Sequence, residues 1–192
     1  MIAVLKYNAG NIQSVRNALS RLGYENIVTD NNEDIMSADK VIIPGVGQAG
    51  SAMTYLKQRG LDKTIISLTQ PVLGICLGLQ IMCRVSDEGN TRGLGIFDTD
   101  VKKFPPSDKV PHMGWNSFTD LRGTLFNGMG MEDNVYYVHS YYAKISTDTT
   151  AICNYILPFS AALQRSNFFA VQFHPEKSAD TGNRILENFL QL

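Results

Sequence analysis

Short, uninterrupted apolar runs constrain this chain more than any other feature. Ile2–Tyr7 (IAVLKY), Val41–Ile43 within KVIIPGVG and Val72–Ile75 within PVLGIC lack the alternation of a half-exposed strand, and each stops at a turn signal. Between them, Ile12, Val15, Ala18, Leu19 and Leu22 recur at helical spacing, with Asn11 placed to cap the helix and Gly23 to end it. A second helix carries Ala52, Tyr55 and Leu56 on one face and runs to about Gly60, and LGLQIMC forms a third. Apolar strands alternating with helices predict an α/β fold whose mostly parallel central sheet is covered on both faces. From about residue 86 the texture changes. SDEGNTRGLG and FPPSDKVPHMGWN are rich in Gly, Pro and polar residues, and VYYVHSYY and FFAVQFHPE are aromatic and partly alternating. These predict an additional antiparallel β-rich part, closed by an amphipathic helix carrying Ile185, Leu186, Phe189 and Leu190.

Composition excludes whole classes of function. The chain has 192 residues, 44% of them hydrophobic and 18% charged, with a formal net charge of -1, and its mean hydropathy is -0.10. That length suits one domain over residues 1–192. A charge near zero leaves no broad basic footprint for nucleic acid. No apolar run approaches the roughly 20 residues that span a membrane, and MIAVLKYNAG does not read as a signal peptide, so a cytoplasmic protein is expected. The three cysteines, Cys76, Cys83 and Cys153, fit neither a disulfide framework nor a zinc site. With only His112, His139 and His174 available, few Cys–His pairings can exist.

One such pairing stands out. In Leu73-Gly74-Ile75-Cys76-Leu77-Gly78 an apolar strand runs straight into a helix, with Cys76 at the corner and a glycine two residues to either side. This is the thiol counterpart of the G-x-S-x-G nucleophile elbow, in which a strained turn brings neighbouring backbones too close for side chains at 74 and 78. The helix that follows points N–H groups and its positive dipole end at the sulfur, which favours a thiolate and leaves Leu77 N–H to bind an oxyanion. Val171-Gln172-Phe173-His174-Pro175-Glu176 supplies a base at a strand end. Residues two apart in an extended segment share a side, so Glu176 can orient His174. His112 and His139 have no carboxylate at that spacing and rank below His174, while Cys83, inside the elbow helix, and Cys153 read as packed thiols. Pro44-Gly45-Val46-Gly47 also follows a strand, and its Val46 N–H is the candidate second oxyanion donor.

Together these motifs resemble the class I glutamine amidotransferases of the Cys-His-Glu type. GICLGLQ (74–80) and the His-Pro-Glu of QFHPEKS (172–178) carry the broad likeness. YNAGNIQSV (7–15), IPGVGQ (43–48), EGNTRGLG (88–95), VPHMGWN (110–116) and YYVHSYY (136–142) narrow it to the glutaminase subunits of imidazole glycerol phosphate synthase. The resemblance implies a flavodoxin-like sheet, with Cys76, His174 and Glu176 catalytic and Val46 and Leu77 forming the oxyanion hole. It implies that Gly45, Gly47, Gln80, Ser140 and Tyr141 hold L-glutamine, and that no metal or cofactor is needed. In this family the PGVG peptide is thought to turn before the oxyanion hole forms, so that activity depends on a partner.

A chain of this length has no room for an ammonia acceptor site and lacks a phosphate-cradling glycine motif. A separate partner is therefore expected, by resemblance a (β/α)8-barrel cyclase subunit in a heterodimer. The Asn8–Asn11 loop and the Tyr136–Tyr142 segment are candidates for the contact face. A paralogue feeding another synthetase, or a non-catalytic subunit on the same fold, remain the alternatives; an intact Cys76, His174 and Glu176 weighs against the latter.

Overall fold

The structure, a computed structural model, describes residues 1–8 and 10–192. Ala9, within the Asn8–Asn11 loop, lies outside the described residues. In chain order the first part comprises β1 (Ile2–Leu5), α1 (Ile12–Arg21), β2 (Asn26–Thr29), α2 (Asn32–Ser37), β3 (Lys40–Ile43), α3 (Ala49–Gln58), α4 (Leu61–Ser67), β4 (Val72–Ile75) and α5 (Leu77–Met82). The middle is β-rich: β5 (Cys83–Ser86), β6 (Thr91–Arg92), β7 (Phe97–Lys103), β8 (His112–Asn116), β9 (Asp120–Leu121) and β10 (Val135–His139). Then follow β11 (Tyr141–Ala143), β12 (Thr149–Tyr155), β13 (Leu157–Arg165), β14 (Phe168–Val171), a 3-10 turn at Pro175–Lys177 and α6 (Ala179–Leu190).

The main sheet has the order β2-β1-β3-β4-β14-β13-β11-β7-β5-β6. Its first five strands all run parallel. From β13 the pairing turns antiparallel through β11 and β7, while β8 and β10 form a separate antiparallel pair. The split agrees with the change in sequence texture. β1, β4 and β14 are buried along their whole length, as strands covered on both faces must be. Alternate residues feed two cores. Val4, Ile42 and Leu73 pack with Val15 and Leu19 of α1 and Ile185 and Phe189 of α6. Leu5, Val41, Ile43 and Val72 pack on the opposite face with Leu56 of α3 and Ile65 of α4.

Two local readings change. Asn11 occupies the N-cap position of α1 with φ 69°, yet its side chain makes no capping bond. Cys83 is not in the elbow helix: α5 stops at Met82, and Cys83 opens β5. The short elements β2, α2 and α4 carry no strong period of their own. α2 forms because Asn31 Oδ1 accepts from Glu33 N at 2.7 Å and Asp34 N at 3.3 Å.

One close approach locks α5 to the sheet. A Cβ at Gly78 would be driven into the carbonyl oxygen of Ile43, a backbone atom that cannot swing aside. Gly78→Ala is expected to destabilise the fold by about 1–3 kcal/mol, the usual penalty for overpacking. Thermal unfolding checks this, and an unchanged Tm would contradict the contact.

Candidate active site

β3, β4 and β14 are consecutive neighbours in the parallel sheet, so the loops after them open on the same edge. Pro44–Gly47 follows β3, Cys76 follows β4, and Gln172–Lys177 follows β14. Ile75 is in register with Val171, which brings Cys76 beside the start of the His174 segment. Residues about 100 apart in sequence thus meet because their strands pair.

Cys76 has φ 51° and ψ −100°, a conformation that costs a non-glycine residue of order 1–3 kcal/mol. Backbone bonds hold it there: Cys76 N donates to Val171 O at 2.8 Å, and Gln80 N donates to Cys76 O at 3.2 Å. A Cβ on Gly74 would lie 2.6 Å from Met82 Sδ and 2.9 Å from the carbonyl carbon of Gly78, so the expected reason for that glycine holds. Leu77 N–H, in contrast, is not free. It donates to Gly45 O at 3.3 Å. Because a trans peptide points its N–H away from its carbonyl, Val46 N–H faces away from Leu77.

His174 Nδ1 donates to Glu176 Oε1 at 2.7 Å, and both side chains are fully buried. The contact forms by a route other than the one expected. His174 is extended, but Glu176 lies in the Pro175–Lys177 3-10 turn, which curls its carboxylate back to the ring. Ser178 Oγ donates to His174 O at 2.6 Å and His174 N to Tyr136 O at 2.9 Å, fixing the backbone on both sides. Asn11 Nδ2 donates to the same Glu176 oxygen that His174 uses. Burial opposes charge on the His174 ring, but the Cys76 sulfur and the Glu176 carboxylate outweigh it and raise its pKa to about 10. His174 Nε2 is buried without a hydrogen-bond partner among the described residues.

A cavity of about 290 Å³ opens over the sulfur. Val46, Gly47, Cys76, Leu77, Gln80, Ser140 and Tyr141 line it, so most residues singled out in the sequence converge there. Gly45 instead sits behind the wall, against Leu77 and the Tyr7 hydroxyl. Glu88 also lines the cavity, and its Oε2 accepts from Ala49 N at 2.7 Å. Gln80 Nε2 donates to Tyr141 O at 3.0 Å and to Gln172 Oε1 at 3.2 Å. Glu88, Gln172 and Tyr7 have no individual role legible in the sequence; each lies in one of the motif segments that carry the resemblance, which is the only signal for them.

The other thiols and imidazoles are buried, and of these His139 also lines the cavity. Burial pushes the Cys83 and Cys153 thiols up, the latter to about 11. His112 Nδ1 and His139 Nε2 lie 3.0 Å apart, and His139 Nδ1 donates to Tyr141 O at 2.7 Å. That bond makes His139 Nε2 the acceptor and His112 Nδ1 the donor, which suits two neutral rings.

Residues 3–192 match the family described as glutamine amidotransferase class-I. Imidazole glycerol phosphate synthase subunit HisH of Bacteroides fragilis is 58% identical over 194 residues, spanning 100% of this chain and 99% of that protein. The HisH subunit of Haemophilus influenzae is 42% identical over 192 residues, spanning 99% and 96%. Among solved structures, a glutamine amidotransferase superposes with a TM-score of 0.75 at 16% identity, covering 99% of this chain and 97% of that one. PurLQS from Thermotoga maritima gives 0.72 at 15% identity, covering 99% and 97%. At such identities the likeness is one of fold.

The histidines make opposite contributions to stability. Burial lowers His112 to about 4 and His139 to about 3, so the unfolded chain binds more protons below its own pKa of about 6.5. Stability therefore drops as pH falls from about 6.5 towards 4. His174, raised to about 10, contributes fully below about 6.5 and loses its contribution as pH climbs through 10. NMR of the three rings at pH 5.5 should show His112 and His139 neutral and His174 protonated. Titration of either neutral ring near 6.5 would contradict the buried pair.

Proposed function

The chain belongs to the class I glutamine amidotransferases, and from that premise we propose that Cys76 is its nucleophile, His174 its proton carrier and Glu176 the carboxylate that orients His174. The observation carrying this reading is the strained Cys76 corner set beside a fully buried His174–Glu176 pair on adjacent strand ends. Full-length identity of 57–58% to HisH subunits supports the narrower assignment, a glutaminase subunit acting in histidine biosynthesis.

L-Glutamine enters the cavity with its side-chain amide over Cys76. Gly47, Gln80, Ser140 and Tyr141 hold it, and the Glu88 carboxylate suits its α-ammonium group. The sulfur attacks the amide carbon, and the C=O pair becomes an oxyanion. Protonated His174 gives its Nε2 proton to the departing nitrogen, which leaves as ammonia. The now neutral ring takes a proton from water, whose oxygen attacks the thioester and releases L-glutamate, restoring the thiolate and the protonated ring.

The oxyanion donors must first be assembled. With Gly45 O accepting from Leu77 N–H, one donor is occupied and Val46 N–H is turned away. Neighbouring carbonyls are tethered as well: Pro44 O accepts from the Tyr7 hydroxyl and Val46 O from Gly10 N at 2.9 Å. This arrangement supports low activity in the isolated chain and a partner that turns the Gly45–Val46 peptide. We propose a (β/α)8-barrel cyclase subunit as that partner. It would receive the ammonia and form imidazole glycerol phosphate and an aminoimidazole carboxamide ribonucleotide. Met113 and Trp115 of β8 are 59% and 55% exposed, and Pro111, just before β8, and Val138 of β10 also line the cavity, so an apolar docking face adjoins the site. Among the described residues no helix is long and apolar enough to cross a membrane, and we place the complex in the cytoplasm, with residues 1–192 acting as one amidotransferase domain.

Glutamate release measured with and without the cyclase tests the reading. The complex should exceed the isolated chain by about 10–100-fold, within the ordinary range of coupling between sites. Cys76→Ala should abolish release while the complex still assembles; undiminished release would overturn the nucleophile assignment. His174→Ala should lose about a thousandfold, and Glu176→Gln distinctly less, because orienting a base is a smaller effect than supplying it.

A further inference from the structure

Gln172 is a wholly buried amide in contact with the nucleophile. Its side chain is fully shielded from solvent, and its Nε2 lies 3.6 Å from Cys76 Sγ. It lies behind the cavity wall rather than in its lining. Burying an amide is costly unless its polar atoms are paired. Here the pairing is directional. Tyr141 O accepts only, so Gln80 must present its Nε2 to that carbonyl at 3.0 Å. The same Nε2 meets Gln172 at 3.2 Å, which requires Gln172 Oε1 on that side. Gln172 Nε2 is thereby turned to the sulfur. His139 Nδ1, donating to the same Tyr141 carbonyl at 2.7 Å, braces the far end of the chain.

We propose that Gln172 is a positioning residue that holds Cys76 Sγ in its attacking rotamer by an N–H donated to the sulfur, with Gln80 fixing which way the amide faces. A donor stabilises a charged sulfur more than a neutral one. His174 and Tyr7 are the titratable groups that sense the sulfur's charge; Gln172 differs from both in staying neutral and a donor at every pH. The inference rests on the assignment of Cys76 as nucleophile. It makes Gln80 bifunctional, since Gln80 lines the cavity and also aims the residue behind the nucleophile.

The test uses the chain with its cyclase partner, comparing wild type with Gln172→Met, which keeps the volume and removes the donor. Iodoacetamide alkylation of Cys76 is followed by mass spectrometry as a function of pH, together with kcat and KM for glutamate release. Loss of one hydrogen bond to a charged group is expected to slow alkylation at neutral pH about tenfold, move the profile to higher pH and lower kcat about tenfold, leaving KM within about twofold. An unchanged alkylation profile, or a loss confined to KM, would overturn the proposal. Should Gln172→Met not fold, the side-chain amide protons of Gln172 in the wild-type chain provide the second measurement. They should shift with the midpoint of Cys76 alkylation, and protons that ignore it would refute the bond. Cys76→Ala separates the two readings: if that variant still releases glutamate, the nucleophile assignment fails. If it does not and the Gln172→Met profile matches wild type, the positioning role alone fails.

Discussion

The backbone at Cys76 is the constraint to which the rest of the site answers. A non-glycine residue at φ 51° and ψ −100° persists only where its surroundings over-determine it. Here they do so from three directions. Val171 O takes the Cys76 amide from the neighbouring strand, the first turn of α5 takes its carbonyl, and Gly78 sits hard against Ile43 on the strand to the other side. The first and the third depend on β3, β4 and β14 being adjacent and parallel. The antiparallel half serves this arrangement from outside, since the end of β10, the start of β11 and Ser140 between them supply Val138, Ser140 and Tyr141 as the far wall of the cavity.

The same residue type is tuned in opposite directions within one small volume. Three histidines approach the site, and burial is the leading influence on each. At His112 and His139 it prevails, because the partners are another imidazole and a carbonyl, and both rings stay neutral. At His174 it is overcome by the Cys76 sulfur and Glu176. Pairs of titratable groups whose environments drive their pKa values apart mark acid–base roles. Here the contrast singles out His174 as the ring able to carry a proton at neutral pH.

What could be read from the sequence was local and dense in chemistry. The Gly-x-Cys-x-Gly corner, His-Pro-Glu, the buried strands and the closing helix each announce themselves within about eight residues. What could not be read depended on sequence-distant pairing. Asn11 reads as a helix cap because the cap is its nearest use. Its amide instead reaches Glu176, 165 residues away. Gln172 reads as a polar residue at the end of a strand, and its partners Gln80 and Cys76 become visible only once β14 lies beside β4. Leu77 N–H follows the same logic. The helix start makes it a donor, but the loop after a different strand decides what it donates to. Glu176 shows a correct contact reached from an incomplete premise, since an extended geometry was assumed and a 3-10 turn delivers the carboxylate.

The loop of residues 44–46 shows how such a site can be closed without loss of shape. Each of its three carbonyls is bonded, but unequally. Gly10 N meets Val46 O at 2.9 Å, whereas Leu77 N meets Gly45 O at 3.3 Å, the longer and weaker of the two. In the proposed mechanism, the peptide that turns to assemble the oxyanion donors is therefore the one with the weaker tether, and the tethers on either side would keep the ends of the loop in place. A single hydrogen bond of this kind contributes about 0.5–1.5 kcal/mol, which a docking surface can readily outweigh. Linkage then works in both directions. If partner binding favours the turned peptide, an acyl group whose oxyanion needs that peptide must favour partner binding by the same factor. The closed loop and the docking face would thus form one equilibrium, and ammonia would be released chiefly where an acceptor stands ready to receive it.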